Sequence, residues 1–316
     1  WAAFGLPRPA WSAASAAQTA VDAAKEFAGT EISIVWEAGL QALDPNTFSG
    51  PKWKDLTGIS VKVIEVATEQ MFTKILQEHR AGSGAYDALN VIPSWMPDLV
   101  RAGALEDLDP YVDKYGFREE LQEIAPVYRD NQMTFDGKIY AFPDDGDVFV
   151  LYYRTDVLGD PKIQAAYKAK YGSDLPVPPT TWKDFDQVGS LITEVTGGKP
   201  YGAAFFRQPP YAQFMFQERF RNEGGKFFDA STMKATVNSP VGVKVFQDWL
   251  AENKWMPKGV ETWDFGKNLS AFLVGDTAMT MSWPPYGRWA AGYGTEEKAL
   301  SWVPKTQIAG KVGYAM

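Results

Sequence analysis

Gly137-Lys138-Ile139-Tyr140-Ala141-Phe142-Pro143-Asp144-Asp145-Gly146-Asp147-Val148-Phe149-Val150-Leu151-Tyr152-Tyr153-Arg154 is the stretch whose reading decides the fold. A Gly-Lys turn leads into a short apolar run, which a proline and three carboxylates interrupt. A second, fully apolar run follows and ends in two tyrosines. A strand does not carry such charges in mid-run unless the chain is leaving one sheet for another. The stretch therefore reads as a crossover between two lobes, with acidic groups left at the junction. Clefts between lobes are where small ligands bind.

Length and composition agree with two lobes. The chain has 316 residues, too many for one ordinary core. Its net charge is −8, and no Lys/Arg cluster breaks the acidic balance, which argues against nucleic acid as a partner. There are no cysteines, so disulfides, thiolate metal sites and cysteine nucleophiles are excluded; an exported protein needing no staples fits this. The single histidine, His79, would have to carry any Ser-His-Asp triad or multi-histidine metal site alone. It follows Met71, Phe72, Ile75 and Leu76 at helical spacing, shortly before Gly82, and reads as an ordinary residue of a helix over 69–80. Twelve Trp and 14 Tyr are a large aromatic allotment. Indole faces stack on sugar rings while neighbouring carboxylates bond the hydroxyls.

No motif points to a cofactor or a metal. Gly82-Ser83-Gly84 is outside the nucleophile-elbow frame and has Asp87 where a dinucleotide fingerprint needs its third glycine. Asp144-Asp145-Gly146-Asp147 lacks the spacing of an EF-hand loop. A glycosidase needs two opposed carboxylates ~5–9 Å apart, and Asp144, Asp145 and Asp147 with Glu37 keep a carbohydrate-active hydrolase open as the alternative. No run approaches the roughly 18 apolar residues of a membrane-spanning helix.

The elements follow from periodicity and caps. A helix is expected over 19–28, strands over 31–36, 59–66 and 86–92, a loop over 37–51, and helices over 69–80 and 98–103. This order implies a mainly parallel sheet with helices on its faces. Its ligands would lie beyond the strand ends, at Trp36-Glu37, Pro93-Ser94-Trp95 and the Asp144–Asp147 crossover. Further on, Thr181 caps a helix, residues 201–206 form a strand, and a helix over 211–221 stops at Gly224-Gly225. Ser239-Pro240 opens another helix, and a helix over 265–274 ends at Gly275. A strand over 277–283 delivers Trp283 to a Pro284-Pro285-Tyr286-Gly287 loop. Residues 301–304 and 311–316 read as strand. The chain begins with Trp, and Ala14-Ser15-Ala16 has the small-x-small form of a signal-peptidase site, so residues 1–16 are expected to be a signal-peptide remnant.

The order of certain short motifs carries a resemblance. They are Ala102-Gly103-Ala104-Leu105 with Leu108-Asp109-Pro110-Tyr111, Asp136-Gly137-Lys138-Ile139-Tyr140-Ala141-Phe142-Pro143, Leu151-Tyr152-Tyr153 and Pro179-Thr180-Thr181-Trp182. Gly224-Gly225 with Phe228-Asp229, Asn238-Ser239-Pro240, and Ala271-Phe272 with Gly275-Asp276-Thr277-Ala278-Met279 complete the series. Over roughly 31–316 the chain resembles the extracellular solute-binding proteins of ATP-binding-cassette sugar importers, in the group that includes maltose-binding protein. Arg154 departs from the Asn or Asp usual after the tyrosine.

The resemblance implies an α/β, two-lobe periplasmic-binding-protein fold with a hinge between the lobes. Lobe 1 would be residues 30–143 and lobe 2 residues 144–316, with the return crossing and the rest of lobe 1 beyond Met316. It implies a periplasmic or extracellular monomer without cofactor or catalysis, which binds a carbohydrate and hands it to a membrane permease. A polyol, a phosphodiester or a peptide is the other solute to consider. The site residues it implies are Glu37 and Gln41 after the first strand, Trp95 after the third, and Asp145 and Asp147 at the crossover. Tyr211, Trp283 and Tyr286 would be the aromatic platforms of lobe 2.

Overall fold

The structure, a computed structural model, describes residues 15–209, 212–294 and 300–316. The chain divides into two units, one ending at Gly146 and the other starting at Asp147, inside the stretch quoted above.

Unit 1 runs α1 (Ala16–Ala24), β1 (Glu31–Glu37), α2 (Leu40–Thr47), α3 (Ser49–Thr57), β2 (Ser60–Val66), α4 (Thr68–Ala81), β3 (Ala88–Leu89), α5 (Met96–Arg101), α6 (Asp109–Tyr115), α7 (Pro126–Gln132), β4 (Thr134–Phe135) and β5 (Lys138–Ile139). Its sheet has the order β2-β1-β3, parallel throughout, and β4 pairs with β5 as a short antiparallel ladder. Helix α4 buries Met71 and Ile75, one turn apart, against Val35, Val66 and Leu99. Gly82 ends α4 at φ 61°, a conformation glycine adopts without strain. His79 lies in the last turn of α4, its Nε2 2.9 Å from the Ala102 carbonyl.

Two expectations change here. The loop expected over 37–51 holds α2 and the start of α3. Its prolines read as breakers, but Pro51 falls in the first turn of α3, where its missing N–H costs nothing, and α2 accommodates Pro45 internally. The strand expected over 86–92 is regular only at Ala88–Leu89, although Asp87 and Asn90 still donate backbone bonds to Ser33 and Val35. In the supposed signal remnant, residues 1–14 lie outside the described residues. Ser15 caps α1 by accepting from the Gln18 N–H, and the Ala16 N–H donates to Glu120 Oε1 at 2.7 Å.

Unit 2 runs β6 (Val150–Arg154), α8 (Thr155–Leu158), α9 (Pro161–Tyr171), α10 (Trp182–Thr196), α11 (Ala212–Asn222), α12 (Pro240–Glu252), α13 (Phe265–Leu273), β7 (Met279–Ser282), α14 (Pro285–Ala290) and β8 (Val312–Ala315). Unlike the sheet of unit 1, this one is antiparallel, in the order β7-β6-β8. Thr181, Ser239 and Asp264 cap α10, α12 and α13, each side chain accepting from a backbone N–H three residues on. Phe185, Val188, Leu191 and Ile192 of α10 supply one side of the core, and Phe205, Phe206 and Met279 supply the other. Arg154 closes β6 in a two-pronged ion pair with Asp156, at 2.7 Å on both prongs.

Residues 201–206 are buried beside β7 but form a single bridge, Tyr201 to Thr277, rather than a strand. The Tyr201 and Ala204 N–H groups donate to the Asp276 and Met279 carbonyls, but Gly202 turns to Thr193 Oγ1 at 2.7 Å, and the next residue, Arg207, donates to the Trp263 carbonyl. Gly202 rests directly on Gly189 of α10, where a Cβ would strike the Gly189 carbonyl. The loop expected after Trp283 is mostly helix α14, and 301–304 is a turn rather than a strand. Asn268, within a sequence that matches a glycosylation sequon, is fully buried.

Candidate functional site

In unit 1 the expected residues gather around the carboxyl end of β1. Glu37 ends that strand, and its Oε1 accepts from Thr68 Oγ1 at 2.7 Å, so it is already engaged at the start of α4. Gln41, in the first turn of α2, donates from Nε2 to Asp145 Oδ2 at 2.9 Å. This joins the end of the unit to the start of α2. Desolvation pushes the Asp144 carboxyl above its ordinary value, with the carboxylates of Asp145 and Asp44 adding to the effect. Asn46 donates to Glu65 Oε1 at 3.1 Å, which adds a further acid to this rim. Trp95 is half-buried and packs against Phe72 at 5.6 Å between ring centres, on the edge of the unit 1 core.

In unit 2 an open pocket of about 440 Å³ is lined by Asp147, Val148, Phe149, Phe214, Glu218 and Trp283. Trp283 follows the last residue of β7. Its ring stacks on buried Phe206 at 5.3 Å and 8°. Phe149 lies 5.0 Å away, and Phe214 meets the indole edge-on at 5.7 Å. The Trp283 backbone is anchored too, since its carbonyl accepts from the Tyr152 hydroxyl at 3.0 Å. The pocket wall is thus a packed aromatic set with one indole half-exposed. Asp147 and Phe149 stand two apart on the extended approach to β6, a spacing that turns both side chains to one side.

Sequence reasoning missed Phe149, Phe214 and Glu218. Phe214 and Glu218 share a face of α11, four residues apart. Among the described residues Glu218 has no side-chain hydrogen bond or ion pair, and burial alone pushes its carboxyl above the usual range. A half-buried carboxylate without a side-chain partner among the described residues, beside an aromatic wall, is the signal that marks it, and that signal exists only in the folded chain.

One expected platform does not hold in this form. Tyr286 is fully buried, because α14 turns it inward. Its hydroxyl donates to the Phe265 carbonyl at 3.0 Å and accepts from Asn268 Nδ2, so it supports the wall from beneath. Tyr211 lies outside the described residues. The three aspartates of the crossover are divided by the unit boundary, Asp144 and Asp145 in unit 1 and Asp147 in unit 2. No helix among the described residues is long and apolar enough to cross a membrane.

Comparison with known proteins agrees with this architecture. The probable amino-acid ABC transporter periplasmic-binding protein y4oP of Sinorhizobium fredii is 24% identical over 298 residues, covering 84% of this chain and 64% of its own length. A solute-binding protein of an ABC transporter from Agrobacterium radiobacter K84, solved with ribitol, aligns at a TM-score of 0.71 and 24% identity over 91% of this chain and 66% of its own. Maltose-bound MalE3 of T. maritima aligns at a TM-score of 0.66 and 23% identity over 91% of this chain and 67% of its own. The chain therefore spans about two thirds of the length of each. The family model described as bacterial extracellular solute-binding protein matches residues 18–316, and the chain, with the α/β fold of the two-lobe periplasmic binding proteins, belongs to that family.

Proposed function

We propose that this chain binds a polyhydroxylated solute, a sugar or a polyol, and delivers it to the permease of an ATP-binding-cassette importer outside the cytoplasmic membrane. The observation that carries the reading is the unit 2 pocket. An indole held flat on Phe206 offers the apolar face that a sugar ring or polyol chain covers. The carboxylates of Asp147 and Glu218 beside it accept hydrogen bonds from hydroxyls. The solutes named for the similar proteins, ribitol and maltose, are of this class.

The protein acts as a carrier rather than an enzyme. Lobe 1 ends and lobe 2 begins near Pro143, with a hinge there, and ligand favours the closed form by binding it more tightly than the open one. Glu37, Gln41 and Asp145 contribute polar contacts from lobe 1; Trp283 supplies the stacking face.

The test is calorimetry and tryptophan emission on the full-length protein against ribitol, mannitol, maltose, glucose and a set of amino acids. Saturable binding of a sugar or polyol, recovered chemically unchanged, is the expected result. Binding confined to amino acids, or the appearance of a hydrolysis product from a glycoside, overturns the reading.

A further inference from the structure

Unit 2 holds a network of buried charges whose two arginines adjoin residues of the pocket in sequence. The Glu252 carboxylate, at the end of α12, is shared by two guanidiniums: Oε2 accepts from Arg207 Nη2, and Oε1 accepts from Arg219 Nη1 at 2.5 Å. All three residues are at least 93% buried. Arg207 also donates to the Trp249 carbonyl at 3.0 Å and to Asn253 Oδ1 at 2.5 Å. Arg219 makes a two-pronged pair with Asp186 of α10, at 3.1 and 2.6 Å, and reaches Asp248 at 3.1 Å. Lys244 neutralises Asp248 from the outside at 2.6 Å.

The chain neighbours of these two arginines matter most. Arg207 directly follows Phe206, the ring on which Trp283 stacks. Arg219 directly follows Glu218, and Phe214 lies on the preceding turn of α11. Each arginine therefore holds one wall of the pocket. The segment that carries Phe206 forms only a single bridge to the chain entering β7; its N–H groups are divided among the Asp276 and Met279 carbonyls and Thr193 Oγ1, and that of Arg207 goes to the Trp263 carbonyl. An ion network of this depth is a poor source of stability, because the desolvation of the charges offsets their attraction. What a forked guanidinium does supply is direction, since its donors meet carboxylate oxygens only in fixed geometry.

We infer that Glu252, through Arg207 and Arg219, is a positioning residue of the solute pocket, setting the Phe206–Trp283 wall and the Phe214–Glu218 wall at a fixed spacing. The inference rests on the unit 2 pocket being the solute site, but its first test does not require a solute.

The first measurement is hydrogen–deuterium exchange on the full-length protein without ligand, for Glu252→Gln, for Arg207→Lys, and for the triple replacement Arg207→Met/Glu252→Leu/Arg219→Met. Ile163→Ala, a core truncation in α9, which contributes no residue to the pocket lining, controls for general loss of stability. In Glu252→Gln, exchange is expected to rise in peptides covering 203–207 and 212–222 together. Near-UV circular dichroism of the aromatic set should fall with it. Arg207→Lys, which keeps the charge but loses the fork, should loosen 203–207 first. Ile163→Ala, compared at matched distance below its melting temperature, should leave both peptides as in the parent. The triple replacement keeps the volume apolar and should stay folded while the walls loosen.

The second measurement is ribitol affinity, with mannitol and maltose in parallel. Loosening a stacked aromatic wall should weaken the bound one by about tenfold. Unchanged exchange at both walls in Glu252→Gln, or the same rise in Ile163→Ala, overturns the positioning role. If the parent binds none of the three solutes, the solute reading is at fault, and the exchange data still decide the role of Glu252. Should the triple replacement fail to fold, Glu252→Gln and Arg207→Lys carry the decision.

Discussion

The two candidate regions are built on opposite plans. In unit 1 the polar groups at the carboxyl end of β1 are satisfied by their own neighbours, Glu37 by Thr68 and Asp145 by Gln41, and the indole of Trp95 is packed on Phe72. In unit 2 the rings are locked to one another while a carboxylate, Glu218, is left with no side-chain partner among the described residues. A site whose polar groups are already paired must exchange one partner for another on binding, which nets little. A rigid aromatic wall beside an acceptor with no protein partner among the described residues gives up only water on binding and gains contacts. The difference teaches that the pocket of unit 2 should bind a solute more strongly than the rim of unit 1.

Trp283→Ala is the harshest way to break this comparison. Trp283 is the half-exposed face of a wall in which, among the described residues, four other rings touch it. Truncating a packed aromatic anchor of a binding site costs about 2–4 kcal/mol, or roughly thirty- to a thousandfold in affinity. Calorimetry at 10 °C, where the variant stays folded, measures it. A loss below threefold would move the stacking face elsewhere.

Asp147→Ala comes next. A charged acceptor lost from a hydroxyl costs about 1.5–3 kcal/mol, or roughly ten- to a hundredfold. The same variant separates ligand contact from a structural role. If affinity holds while the melting temperature drops, Asp147 serves the chain where it enters unit 2, and Glu218 is left as the principal acceptor of the pocket.

Glu218→Gln sharpens the comparison by moving two observables in opposite directions. Burial raises this carboxyl above its unfolded value. Below the ordinary Glu value of about 4.3 it is protonated in both states and costs the fold nothing. As pH rises through its raised value, the folded protein must carry a charge the unfolded chain hydrates better. The relative stability present at low pH is thereby lost. Glutamine never ionises, so its melting temperature should exceed the parent's at neutral pH. The gap should close as pH falls towards 4. Affinity should drop by roughly fivefold, the worth of about 1 kcal/mol for one accepted hydrogen bond. A melting gain independent of pH would show that desolvation of the charge is not its cause.

How far the sequence was legible follows the same division. Caps and stripes were readable because their signals are local: Met71 and Ile75 one turn apart, Thr181 before α10, Ser239 before Pro240. The crossover was readable because Asp144 to Asp147 cannot sit within a buried strand. Helix α2 was not, since Pro45 and Gly39 are breakers by propensity and the contacts that overrule them are tertiary. The segment 201–206 reads as strand but trades its ladder for Thr193 and the Gly189 contact. In the pocket, Trp283 was legible as the residue after an apolar strand, whereas Tyr286 was misplaced because α14 rotates it into the core. Glu218 had no signature, as a glutamate on an amphipathic helix looks the same whether it faces water or a solute.

Gln41→Ala has the smallest expected effect and probes the comparison from the unit 1 side. Gln41 is half-buried and already bonded to Asp145. Its removal leaves an exposed carboxylate that water can satisfy, so the fold should not register it. A solute that borrowed the amide would first have to break that bond, and the exchange is worth at most about 0.5 kcal/mol, or roughly twofold in affinity. Paired titrations of the parent and the variant with the same solute resolve a twofold change. If Gln41→Ala instead weakens binding as much as Asp147→Ala, the amide is aimed by Asp145 as a preformed donor. The satisfied rim of unit 1, not the aromatic wall of unit 2, would then set the affinity, and the comparison between the two units would be inverted.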